Sequence, residues 1–66
     1  MYEIVYVMNS SEFHMGGFRR IRDARDALKI VRNEYIREGE RVLLVKDCLH
    51  IISAKNRNRK YIIRKI

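Results

Sequence analysis

Ile21, Ala24, Leu28, Val31 and Tyr35 recur at spacings of 3, 4, 3 and 4, which places all five on one stripe of a helix with 3.6 residues per turn. The chain on either side is patterned for strands, so any fold must be built around a single amphipathic helix. The ends of that helix are marked as well. Asp23 is suited to cap the N-terminus, Asp26 follows near the positive end of the macrodipole, and Gly39 supplies a left-handed residue after Glu38. The spacing predicts a helix over about 21–38.

Tyr2 to Met8 is rich in Tyr, Ile and Val and reads as a strand ending at the turn-prone Asn9-Ser10-Ser11. Phe13 to Phe18 is the candidate return strand of a hairpin, with Gly16-Gly17 marking either a bulge or a loop. After Gly39 three short β-patterned runs follow: Arg41 to Lys46, Leu49 to Ser53 and Lys60 to Arg64. They are separated by Asp47-Cys48 and by a basic turn from Lys55 to Arg59. Val42 to Val45 is apolar on both faces, which predicts a central strand. Lys60, Ile62 and Arg64 alternate with Tyr61, Ile63 and Lys65, which predicts an edge or half-exposed strand. The expected fold is α+β, a single small domain over 1–66, with one helix packed on an antiparallel sheet of roughly four to five strands in the order β(β)αβββ.

A domain of this size buries only about 60% of the surface its unfolded chain exposes, so help from a partner or a second copy is expected. One helix covers one face of a sheet, yet Tyr2, Ile4 and Tyr6 alternate with Val5 and Val7, and Leu43 and Val45 with Val42 and Leu44. Either choice of core face leaves apolar groups on the other. Tyr2, Ile4, Tyr6 and Ile62 are the candidate residues for a homodimer or protein interface.

Charge supplies the functional clue. The chain carries a net +7, and its last 19 residues, Cys48 to Ile66, hold six Lys or Arg and no Asp or Glu. Such an excess selects polyanions or acidic protein patches as partners. The candidate contacts are Lys55, Arg57, Arg59, Lys60 and Arg64 around the last turn, where Asn56 and Asn58 add hydrogen-bonding groups. A second stripe on the helix, Arg22, Arg25, Lys29 and Arg32, runs beside the apolar one, although Arg25 and Lys29 repel each other by a few tenths of a kcal/mol. Tyr2, Tyr6 and Tyr61 lie on strands, where binders of single-stranded nucleic acid place stacking rings; core or interface is the commoner use.

Chemistry beyond binding finds little support. Cys48 and His50 fall on the same side of a strand and His14 is a conceivable third ligand, but the spacing matches no dedicated zinc pattern. Neither is a Cys-His nucleophile set assembled by two nearly adjacent residues. No enzyme activity, metal or cofactor is expected. Gly16-Gly17 ahead of Arg19-Arg20 fits no phosphate-loop motif. One cysteine and an N-terminus without a basic head and long apolar run point to a reducing cytoplasm, and apolar runs such as Val42 to Val45 are far short of the ~20 residues of a spanning helix.

The order helix, strand, strand, strand with a basic last hairpin resembles part of the double-stranded-RNA-binding domain. It departs from that family in lacking the second helix, with its lysine cluster, after the third strand, so no residue roles are carried over. The leading expectation is a non-enzymatic module contacting nucleic acid, DNA or RNA, or a nucleoprotein. The alternative is a regulator or inhibitor of phage or mobile-element type, docking on an acidic patch of a host protein such as a component of CRISPR machinery.

Overall fold

The computed structural model describes residues 1–52 and 59–66. Strands β1 (Tyr2–Met8) and β2 (Ser11–Phe18) precede helix α1 (Ile21–Arg37), and β3 (Val42–Val45), β4 (Cys48–Ile51) and β5 (Arg59–Lys65) follow it. The helix packs on one five-stranded sheet of order β2-β1-β5-β4-β3, antiparallel at every pairing. The α+β architecture and the element order are those expected from the sequence.

Two strand positions differ from expectation. β5 is central, because its seven residues pair with all seven of β1, from Tyr2↔Lys65 to Met8↔Arg59, while its other edge takes β4. The four-residue β3 is left at the edge with β4 as its one neighbour. Its apolar character on both faces does not reflect a central place: Val42 and Leu44 pack toward the helix, whereas Leu43 and Val45 stay 50% and 46% exposed on the far side. The alternation in β5 is likewise not that of an edge. It sends Lys60 and Arg64 to the face without a helix and Tyr61 and Ile63 to the core.

Phe13 to Phe18 lies within β2, and of the two readings of Gly16-Gly17 the bulge is the one observed. Ile4 pairs with Gly16 but Val5 with His14, leaving Met15 as the extra residue. The helix starts before Asp23, so the expected Asp23 cap is not formed. Arg20 is the extended N-cap residue without a side-chain cap bond, and Asp23 already donates its backbone N–H to the Arg20 carbonyl at 3.1 Å. The C-terminus closes as the sequence predicts, on Gly39 at φ 83°. Gly39 N–H bonds the Ile36 carbonyl at 3.0 Å and Glu40 N–H the Tyr35 carbonyl at 2.9 Å, the paired bonds of a Schellman motif.

The core lies between helix and sheet. Ile4, Ala24, Leu28 and Leu49 form its centre, with Tyr2, Phe18, Val31, Val42, Leu44, Tyr61 and Ile63 packed against them. The expected interface set is therefore divided. Tyr2 and Ile4 belong to this core and Tyr6 shares their face, whereas Ile62 alternates with Tyr61 and Ile63 and lies on the opposite one. Val5 is on that opposite face too, yet only 1% exposed, enclosed by β2 and β5 on its two sides. Among the described residues no helix is long and apolar enough to cross a membrane.

Candidate nucleic-acid interface

Of the cations singled out in the sequence, Lys55 and Arg57 lie outside the described residues. Three of the others are committed to internal partners. Arg59 donates from Nε to the Tyr6 hydroxyl at 2.5 Å and from an Nη to the Tyr35 hydroxyl at 3.4 Å, with its guanidinium 5.6 Å from the Tyr6 ring centroid. The Tyr35 and Tyr61 hydroxyls are 3.0 Å apart, and the Tyr6 and Tyr61 rings are 4.7 Å centroid to centroid. Burial, and then the bond to Tyr35, push the Tyr61 phenol far above its ordinary value. Arg59 is thus a strut tying β1, β5 and the end of the helix together. Tyr6 and Tyr61 pack on each other at a tilt of 43° and Tyr2 packs on the core, which leaves no row of free rings for bases among the described residues.

Arg64 bonds Glu3 at 2.7 and 2.9 Å and Glu12 at 3.0 Å, and the other Glu3 oxygen meets His14 Nδ1 at 2.6 Å. Arg25 holds Asp47 with two bonds, of 2.8 and 3.3 Å. Both carboxyls are pulled below the ordinary range, Glu3 chiefly by Arg64 and Asp47 chiefly by Arg25. Arg32 reaches only its neighbour, Asn33 Oδ1, at 3.3 Å. Arg22 and Lys29 are exposed and, among the described residues, make no ion pair; Lys60 is half-buried on the helix-free face.

Topology assembles a different cationic group. Tyr2 faces Phe18 on one side and Lys65 on the other, so Arg19 and Arg20 after β2, Arg22 in the first helical turn and Lys65 at the end of β5 share one end of the sheet. The bond of 3.0 Å from Ile63 N–H to the Asp47 carbonyl brings the β3–β4 turn, and with it Lys46, to the same end. All five are exposed and, among the described residues, form no ion pair. They fringe a sheet end ~19 Å wide at the usual strand spacing. Glu3 and Asp47 are nearby, but Arg64 and Arg25 already neutralise them, and Asp23 is the acid left exposed in the first turn.

This gathering is not explained by helix stability. Cations at a helix start oppose the macrodipole, at about 0.3–1 kcal/mol each, and a local preference broken without a structural return marks a candidate for function. Arg19, Arg20, Lys46 and Lys65 are not among the candidate contacts read from the sequence, because they sit at the boundaries of segments that are far apart in the chain. The doublet Arg19-Arg20 next to a helix start is the one local signal that points to them. A groove of about 570 Å³ beside the helix has Glu34, Glu38, Glu40 and Arg59 among its lining residues.

Cys48 and His50 do share a face, but His14 is three strand steps away, ~14 Å at the usual spacing. Among the described residues no group of three or more His, Cys, Asp or Glu is placed to hold a metal ion. Burial raises the Cys48 thiol above its ordinary value, away from the thiolate that nucleophilic chemistry needs. Comparison with known proteins finds no matching family model, no matching curated protein and no matching solved structure. The functional reading rests on the chemistry of the surface.

Proposed function

We propose that this protein is a non-enzymatic binding module that engages the phosphate backbone of nucleic acid through the sheet end carrying Arg19, Arg20, Arg22, Lys46 and Lys65. The observation that carries the reading is the convergence of these five exposed, unpaired cations at one end, where the neighbouring acids Glu3 and Asp47 are internally neutralised. Contact through charge alone reads no base edges, so binding is sequence-tolerant and driven by counterion release. The helix residues Lys29 and Arg32 carry further positive charge along α1.

Fluorescence anisotropy of labelled duplex and single strands across a salt series tests the proposal. Five phosphate contacts give a slope of log affinity against log salt of about −4 to −5 on duplex, and the variant Arg19→Glu/Arg20→Glu/Arg22→Glu loses most of the affinity. A flat salt response, or no binding at low salt, refutes it. The alternative partner, an acidic patch on another protein, fits the same cations. A nuclease-treated pull-down separates the two, since a stoichiometric protein partner that survives treatment favours the regulator reading.

A further inference from the structure

The helix covers one face of the sheet and leaves the other bare, and the bare face has an order of its own. Val5 faces Ile62, Ile62 faces Cys48 and Cys48 faces Val45, so one apolar row crosses four strands. The adjacent row runs Val7, Lys60, His50, Leu43. On the β2–β1 side the bonded set Glu12, Arg64, Glu3 and His14 occupies the surface. On the β5–β4–β3 side no such set occurs among the described residues: Leu43, Val45 and Ile52 are 50%, 46% and 47% exposed, next to a hollow of about 530 Å³ lined by Arg41, Leu43, His50, Ile51 and Ile52.

We infer that this face is an isologous dimer interface, occupied by a second copy of the chain. Charge argues for that occupant. Among the described residues the face holds Glu3 and Glu12 against Arg41, Lys60 and Arg64, a balance of +1 with the histidines neutral, while the whole chain is +7. A polyanion or an acidic partner gains little from a face so near neutral, and two copies meeting here incur little of the like-charge repulsion expected between two +7 molecules. The sheet face is ~19 Å wide and ~24 Å along its seven-residue strands, about 450 Å², which places the contact among the smaller interfaces. Six buried apolar residues are a thin core for a free-standing domain, and face-to-face packing of two sheets adds a second apolar layer of a common kind. The inference is independent of nucleic-acid binding, since none of the five cations of the basic end belongs to the apolar rows.

The test is mass by light scattering, with Leu43→Lys/Val45→Lys as the disrupting variant. Both positions are half-exposed, so the fold survives and circular dichroism verifies it. The wild-type chain is expected at twice 8.0 kDa at about 100 µM, within the range that interfaces of this size reach, and the variant at the single-chain mass. Because the face is nearly neutral, the dimer persists in high salt. Cys48 reports on the same surface: thiol labelling slows about tenfold where roughly nine-tenths of the wild-type chain is dimeric, and the variant labels at one rate at every concentration. A wild-type chain that stays at single mass up to ~1 mM, weaker than interfaces of this size show, or a variant that remains dimeric with Cys48 protected, overturns the inference.

Discussion

Replacing Arg59 by alanine separates structural from binding cations, because the sequence places this residue in the basic turn and the tertiary structure gives it to the tyrosines. Its short bond to the Tyr6 hydroxyl is charge-assisted and half-buried; the contact with Tyr35 is long at 3.4 Å and adds little. One such bond is worth about 1.5–3 kcal/mol, the lower half of that range applies at a partly exposed site, and the guanidinium over the Tyr6 ring contributes about 0.5 kcal/mol. Arg59→Ala should therefore cost about 2 kcal/mol, a large share of the ~3–10 kcal/mol available to a domain of this length. At 4–8 °C per kcal/mol, Tm falls by about 8–16 °C. Urea unfolding followed by circular dichroism at one fixed protein concentration measures the loss, and Arg59→Lys, which keeps charge without the planar fork, recovers only a minor part of it. Salt titration of duplex binding by the folded variant should keep the wild-type slope. An unchanged urea midpoint together with a slope reduced by about 0.9, the value of one lost phosphate contact, refutes the assignment.

The remaining outcomes test the ion pairs and the core. Glu3 and Asp47 have folded-state pKa values below their unfolded ones, so their contribution is full above about pH 4–5 and is lost as pH falls through the depressed values. Asp47→Asn should flatten part of the loss of stability on acidification between about pH 5 and 2, and an acid limb of wild-type steepness would show that Asp47 has no part in it. Leu28 is 0% exposed at the centre of the core; Leu28→Ala should cost about 2.7–5 kcal/mol, while Ile36→Ala, at a helix residue 55% exposed, should stay within about 0.5 kcal/mol. Equal losses for the two in urea would contradict the assignment of helix faces.

What the chain declares locally, it declares well. The 3-4-3-4 spacing identifies the buried side of the helix, Gly39 its end, and the turn residues divide the strands, because helix periodicity, a left-handed stop and tight turns each depend on a few neighbouring residues. Local pattern also shows that one helix is too little cover for a sheet apolar on both faces. It does not show which strand lies beside which. The pairing of β1 with β5 joins the two ends of the chain, and it makes a strand that alternates like an edge central while leaving apolar β3 outside.

The same long-range pairing decides the chemistry of the surface. It commits Arg59 to Tyr6 and Arg64 to Glu3 and Glu12, moves Tyr2 and Ile4 into the core, and collects Arg19, Arg20, Arg22, Lys46 and Lys65 at one end. The sequence by itself determined the elements, their faces and a +7 chain in search of negative charge. Only the tertiary structure decided which of those charges remain free to meet it, since an ion pair depends on distance in space and the partners here stand as many as 61 residues apart.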